Sequence, residues 1–324
     1  MNSFKRRLGA TVVALMAALA GVGAGAQSTD RPIRLVVPFG PGGVADLTAR
    51  VVAQKMTENT RQAIVVDNKP GAGGIVAADT VAKAAPDGLT LLLMSNANAV
   101  TAGLFEKLPF DPVRSFAPVS MLGSFDMAVI ASPKSRFRTL AALIAHARAN
   151  PGKVNIATIN TGSTQNLAAE LFRRSLGIDV QIVPFNGSAA VVTALQGEQV
   201  DAAVEILAPV LGQVTGRTLL ALAVMGEKRS SALPDVPTVA ESGAPGFNVA
   251  SWNAFAAPAG TPADVIARLN KATREALDSP DVQARLAKLG VQGKGSSPEA
   301  QGEFYAREIR RWSDVIRQAG IPRQ

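Results

Sequence analysis

Runs of Val, Ile and Leu alternate along this chain with segments whose apolar residues recur at helical spacing, the pattern of an α/β protein with largely parallel sheets. Ile33-Arg34-Leu35-Val36-Val37 reads as a buried strand, Pro38 to Gly43 as a Pro/Gly loop, and Val44 to about Met56 as a helix with Leu47, Val51 and Val52 on one side. A second strand, Ala63 to Val66, runs into Asn68-Lys69-Pro70-Gly71-Ala72-Gly73-Gly74 and a helix from Ile75 to Ala84. Pro86-Asp87-Gly88 is a turn, and Leu89 to Met94 is a third strand.

The pattern restarts around Asp126 with a strand from Met127 to Ala131. A helix over Leu140 to Ala149 stops at Asn150-Pro151-Gly152, and Val154 to Thr158 leads through a Gly/Ser loop to a helix from about Thr164 to Leu176. Val180 to Pro184, Asn186-Gly187-Ser188 and a helix from Ala189 to Leu195 repeat the unit, with Val200 to Val204 and Leu219 to Val224 as its last strands. Beyond Leu233-Pro234-Asp235-Val236-Pro237 the texture turns to loops and helices, where Thr261, Ser279 and Ser297 each stand as a hydroxyl N-cap before a proline. The final helix sets Phe304, Ile309, Trp312, Ile316 and Ala319 on one side as a docking stripe. Two βαβ groups of one kind predict two similar lobes, residues 27–125 with 226–324 and residues 126–225.

Residues 1–26 stand apart from this pattern. Lys5-Arg6-Arg7 is a basic start, Leu8 to Val22 is an apolar stretch too short to span a bilayer easily, and Ala24-Gly25-Ala26 offers a cleavage site. The expectation is export to the periplasm with cleavage after Ala26, leaving a soluble protein without stable membrane insertion. Removing the leader takes the net charge from +8 to +5, with 30 basic residues against 25 acids. That mild bias suits small anions and falls short of a nucleic-acid footprint, since no Lys/Arg block occurs and Tyr and Trp are scarce.

The absence of Cys excludes disulfides, thiolate metal sites and Cys nucleophiles. The single histidine, His146, excludes any two-imidazole site and reads as a solvated residue near a helix end. Gly71-Ala72-Gly73 begins like a dinucleotide loop but has Val76 where Gly or Ala is needed, so a tight turn with positive φ is the plainer reading. Gly212-Gln213-Val214-Thr215-Gly216-Arg217-Thr218 lacks the spacing and lysine of a P-loop and reads as the turn before a strand. No Gly-x-Ser-x-Gly elbow or Ser-x-x-Lys pair is present, and the acids form no compact cluster for a cation. No cofactor, metal or catalytic group is expected.

Three strand-to-helix junctions remain: Phe39-Gly40-Pro41-Gly42-Gly43, Asn160-Thr161-Gly162-Ser163-Thr164-Gln165-Asn166 and Phe185-Asn186-Gly187-Ser188. Such junctions lie at the carboxyl edge of an α/β sheet, where free N–H groups at helix starts favour anions. Ser163 and Ser188 have two uses there, capping their helices or turning hydroxyls to a ligand. No basic residue lies in the three loops, so backbone amides near Gly42, Gly43, Gly162 and Ser163 are expected to hold the ligand carboxylate.

Arg31-Pro32-Ile33-Arg34-Leu35-Val36-Val37-Pro38-Phe39, followed by Pro41-Gly42-Gly43 and Asp46, resembles the opening of the Bug family, the periplasmic solute-binding proteins of tripartite tricarboxylate transporters. Asn68 to Gly74, Pro86-Asp87-Gly88, Leu233 to Thr238 and Ala257 to Pro262 resemble it too, in order along the whole mature chain. The resemblance implies a type II periplasmic-binding-protein fold, two α/β lobes closing on a small organic acid or amino-acid-like ligand. The expected partners are membrane transporter subunits and the expected state is a monomer; the alternative is a ligand-sensing protein of the same kind that docks on a two-component receptor. Carried over position by position, the ligand loops are Phe39 to Asp46 (with Pro41, Gly42 and Gly43), Gly162-Ser163-Thr164 and Phe185-Asn186-Gly187, and Asn96, Asn166 and Glu205 are further expected ligand-binding positions. The family often has Gly at Asn160, His at Asn166, Tyr-Lys at Phe185-Asn186 and Pro at Ala190, so the loop backbone is expected to be kept and ligand choice altered. Glu205, where the family frequently has Asp, is either a solvated strand-end acid or a pocket residue favouring ligands with a donor group besides the carboxylate.

Overall fold

In the computed structural model, which describes residues 31–324, the chain opens on β1 (Ile33–Val37), α1 (Val44–Thr60), β2 (Ile64–Asn68), a short 3-10 turn at Ala72–Gly74, α2 (Ile75–Ala82), β3 (Thr90–Ser95) and α3 (Asn96–Leu104). The leader read in residues 1–26 lies outside the described residues. Next come β4 (Phe116–Ala131), α4 (Leu140–Ala149), β5 (Asn155–Ile159), α5 (Thr164–Ser175), β6 (Gln181–Phe185), α6 (Ser188–Gln196), β7 (Ala202–Ile206), α7 (Leu207–Thr215) and β8 (Leu220–Val224). The chain ends with β9 (Ala250–Pro258), α8 (Ala263–Leu277), α9 (Pro280–Lys288), β10 (Val291–Gly293) and α10 (Pro298–Ala319).

β1 is apolar on both faces because helices cover both. Leu35 and Val37 pack with Val52 and Met56 of α1 and Leu269 of α8, while Val36 packs with Ala77 and Val81 of α2. The strands run β2-β1-β3-β9-β4-β7-β5-β6, with β8 and β10 also on β4. Pairing is parallel within β2-β1-β3 and within β6-β5-β7, and antiparallel wherever β4 or β9 takes part. The fold is the two-lobed α/β arrangement of periplasmic binding proteins.

β4 joins the lobes. Phe116 to Asp126 pair with β9 in the first sheet, and Met127 to Ala131 pair with β7 and β8 in the second. The chain returns beside the same point: Met225 donates to the Met127 carbonyl at 2.8 Å, and Val249, just before β9, donates to the Met225 carbonyl. Among the described residues no helix is long and apolar enough to cross a membrane.

Several local expectations need correction. The strand expected from Met127 begins at Phe116, and β9 lies where loops and helices were expected. Ala250-Ser251-Trp252-Asn253-Ala254-Phe255-Ala256-Ala257-Pro258 has no β-branched residue, so its strand state comes from burial between β3 and β4. α3 and α7 were also not foreseen, and Gly212 to Thr215 belong to α7 rather than to a turn. Ser297 caps α10 through the Ala300 N–H, but Ser279 makes no cap bond, and the Thr261 hydroxyl donates instead to the Pro258 carbonyl. The buried side of α10 runs through Gln301, Tyr305, Glu308, Trp312, Val315 and Ile316, so the docking stripe contains two polar residues. His146 is half-buried, its ring 5.3 Å from that of Phe137.

Candidate functional site

In each lobe the chain leaves the sheet on opposite sides of a central strand, β1 between β2 and β3, and β5 between β6 and β7. The crevice at the carboxyl end of such a strand is where open α/β sheets bind ligands. The β1–α1 and β5–α5 loops face each other there across a cavity of about 570 Å³. Phe39, Gly43, Gly162, Ser163 and Thr164 line it as expected of site residues, together with Val44, Val100, Leu104, Phe125, Ile206 and Asn253. Among the described residues no Lys or Arg lines it.

Each loop is braced in the same way. In the first, Gly42 adopts φ 87° and donates its N–H to Asp46 Oδ2 at 2.9 Å, four residues on in the first turn of α1. Asp46 also accepts from Arg50 Nε at 3.0 Å and from Asn68 Nδ2 at 2.8 Å, and Asn68 donates on to the Phe39 carbonyl. Burial raises the Asp46 pKa, but the bonds from Arg50, Gly42 and Asn68 outweigh it and hold the carboxyl below its usual range. Its charge is thus spent on the loop and on Arg50 instead of repelling an anion in the cleft. In the second loop, Gly162 adopts φ 77° and donates to Asn166 Oδ1 at 3.0 Å, again four residues on, and Ser163 caps α5 through the Asn166 N–H.

This bracing moves the anion site along the chain. The Gly42 and Gly162 amides are taken, and the Ser163 amide donates to the Asn160 carbonyl at 3.0 Å. Among the described residues the amides of Gly43, Val44 and Ala45, and those of Thr164 and Gln165, have no hydrogen-bond partner. These first-turn N–H groups of α1 and α5 sit at the positive ends of two helices and border the cavity. Of the four amides expected to hold a carboxylate, Gly43 alone is free.

The other expected residues support the cleft without lining it. Asn96, 1% exposed, donates from Nδ2 to Thr164 Oγ1 at 3.0 Å, a bond from the first lobe to the second. Its Oδ1 accepts from the indoles of Trp252 at 3.1 Å and Trp312 at 2.7 Å. Asn166 ties Gly162 to the Thr158 hydroxyl. Phe185 accepts from the Asn160 N–H through its carbonyl, Asn186 is exposed, and Gly187 and Pro41 complete the turns before α6 and α1.

Glu205 is 0% exposed, which removes the reading of a solvated strand-end acid. Its Oε2 accepts from Ser188 Oγ at 3.0 Å, the Ile206 N–H at 3.2 Å and Gln165 Nε2 at 3.3 Å, while Oε1 has no partner. It stands behind Gln165 and Ile206, which line the cavity.

The family model described as the tripartite tricarboxylate transporter family receptor matches residues 48–321. The chain belongs to this family. It is similar to Protein BugT of Bordetella pertussis, with 37% identity over 95% of this chain and 96% of that protein. Among solved structures it is similar to the Rhodopseudomonas palustris protein Rpa4515 with adipate, at 32% identity and a TM-score of 0.79 over 90% of this chain and 98% of that one. It is also similar to MatC of the same organism with bound malate, at 33% identity and a TM-score of 0.73 over 88% and 99%.

In this receptor-family chain several cleft residues escaped the sequence reading. Phe125 sits on β4, the strand shared by both sheets, Asn253 sits on its neighbour β9, and Asn68 braces the first loop from β2. For Asn253 a signal existed, a lone amide inside an otherwise apolar run. Asn68 stood within a motif, without a partner assigned to it.

Burial raises the Glu205 pKa above its usual 4.5, against hydrogen bonds from Gln165, Ser188 and Ile206 that lower it. A raised folded-state value stabilises the protein fully below the unfolded value, and that contribution is lost as pH rises through the folded value. Glu205→Gln keeps the three accepted bonds, so melting curves from pH 4.5 upward are expected to show the variant gaining on wild type as pH rises. A constant difference in Tm across that range would mean Glu205 titrates normally. Asp126, also raised by burial, stays in both proteins and cancels from the comparison.

Proposed function

We propose that this protein captures a small carboxylated metabolite in the periplasm by closing its lobes on it, and delivers it as a monomer to the membrane subunits of a tripartite tricarboxylate-type transporter. In this reading residues 1–26 are a cleaved leader, residues 27–125 with 226–324 form the first lobe, and residues 126–225 form the second. The observation that carries it is the pair of braced loops whose unpartnered first-turn amides face one another across a cavity without a cationic side chain. Two helix starts supply the positive potential that Lys or Arg would otherwise provide. The solved relatives with adipate and malate support a carboxylate as the ligand class.

A thermal-shift screen of residues 27–324 against aliphatic, aromatic and amino acids tests this. A true ligand at about 100 times its Kd raises stability by about 2.7 kcal/mol. Uptake of the strongest hit in cells carrying the permease subunits, with and without this protein, then tests delivery. Failure of every carboxylate to shift the melting curve counts against capture, and equal uptake in both strains counts against delivery.

A further inference from the structure

Asn253 occupies the middle of β9, with its backbone in register with Ser95 on one side and Gly123 on the other. The residue is among those lining the cavity, its side chain is wholly buried, and among the described residues neither Nδ2 nor Oδ1 has a hydrogen-bond partner. The other buried amides around the cleft are all engaged. Asn96 bonds Thr164 and two indoles, Asn166 bonds Gly162 and Thr158, and Gln165 bonds Glu205. A wholly unpaired buried amide is unfavourable compared with an apolar side chain of the same shape, because it gives up its bonds to water and receives nothing. Among the described residues none supplies Asn253 with a partner, and its place in the cavity lining gives that partner a location. The group that satisfies it enters when the lobes part and is held out of water when they close.

The chemistry of that group follows from the amide. Nδ2 donates and Oδ1 accepts side by side, so the matching group must also both accept and donate. An ionised carboxylate meets the donor alone and turns its charge toward Oδ1, and among the described residues no Lys or Arg lines the cavity to balance a second anion. A carboxamide satisfies both atoms in one paired arrangement. The cavity walls also include Val100, Phe125 and Ile206, which suit an apolar spacer. Taking the cleft as the carboxylate site proposed above, we infer that Asn253 sets its specificity. The ligand is a monocarboxylate whose far end carries a carboxamide or another neutral group that both donates and accepts. The carboxylate rests on the first-turn amides of α1 and α5, and the neutral end rests on Asn253.

The test uses ω-amide monocarboxylates from succinamate to suberamate, the matching dicarboxylates, and the methyl ketones in which CH3 replaces the amide NH2. Each is titrated calorimetrically into residues 27–324, as wild type and as Asn253→Leu. Wild type is expected to prefer the best amide over its ketone by about ten- to hundredfold. In Asn253→Leu the two should bind within about twofold of each other, with ketone affinity retained. Without ligand the variant is expected to melt at the same temperature as wild type or higher, since it removes two unpaired buried groups. Equal amide and ketone affinity in wild type, or a preference that survives Asn253→Leu, overturns the assignment of Asn253 and leaves the carboxylate site standing. A lower melting temperature for the ligand-free variant shows that the amide has partners of its own and also overturns it. If all three series fail to bind while other carboxylates do, the ligand class inferred here is wrong. If no carboxylate of any kind binds, the capture reading itself has failed.

Discussion

Gly43→Val is expected to weaken carboxylate binding by about a hundredfold or more while changing stability by less than about 0.5 kcal/mol. Gly43 is the N-cap of α1 with φ −75° and ψ 164°, a conformation open to any residue, and a Cβ built there meets nothing within 4 Å. The fold therefore accepts the side chain. Gly43, Val44 and Ala45 all line the cavity, so a valine at Gly43 is expected to crowd the unpartnered amides beside it. Each charge-assisted bond from such an amide contributes about 1.5–3 kcal/mol, so blocking one or two of them accounts for the loss. Calorimetric titration with the best hit of the screen, beside a melting curve, measures both halves of the prediction. Normal affinity in Gly43→Val would remove the β1–α1 loop from the site. Gly162→Val is a poorer probe, because its φ of 77° and a Cβ only 2.7 Å from Leu104 Cδ2 would disturb the lobe contact as well.

Asn96→Ala is expected to cost about 3 kcal/mol of stability, lowering Tm by about 5 °C. The carboxamide links three elements at once: β9 through Trp252, α10 through Trp312, and the second lobe through Thr164. Its removal leaves the Trp252 indole N–H without a partner in a site 2% exposed, whereas Trp312 keeps Glu308 Oε2 at 3.1 Å. The void left by the truncated side chain adds to the cost. Thr164→Val separates the two roles of this residue. It cuts the bond between the lobes and keeps the indole bonds, so it should weaken ligand binding and, by leaving the buried Asn96 Nδ2 unpaired, lower Tm of the free protein by less than Asn96→Ala does. If both variants melt like wild type, the buried tripod on Asn96 is not a support of the fold.

Part of this site was legible along the chain. The Gly-rich junctions after Val37 and Ile159 announce loops with special backbone geometry, and Gly42 and Gly162 do adopt positive φ. Which N–H groups those loops leave free was not legible. It depends on Asp46 and Asn166 each reaching back four residues to claim a glycine amide, an outcome decided by side-chain rotation rather than by composition. Glu205 was read from its place at a strand end, where solvation and burial are equally compatible with the sequence. Packing of α5 and α6 against that end buried it, through Gln165 and Ser188.

Hydrophobic periodicity, turn residues and missing chemistry determined, without coordinates, an α/β chain of two similar lobes with Gly-rich loops at the sheet edges. These properties are local: a strand buried on both faces, a helix with one apolar side and a glycine at a positive φ each write themselves within a few neighbouring residues. The tertiary structure alone decided that β4 serves both sheets, that the Ala-rich segment from Ala250 to Pro258 is a central strand, and that Asn253 is brought to the cleft lining. Each of these arises from pairing between segments far apart in the chain, such as Met127 with Ile206 and Ser124 with Trp252, and pairing at that distance leaves no periodic trace in either strand.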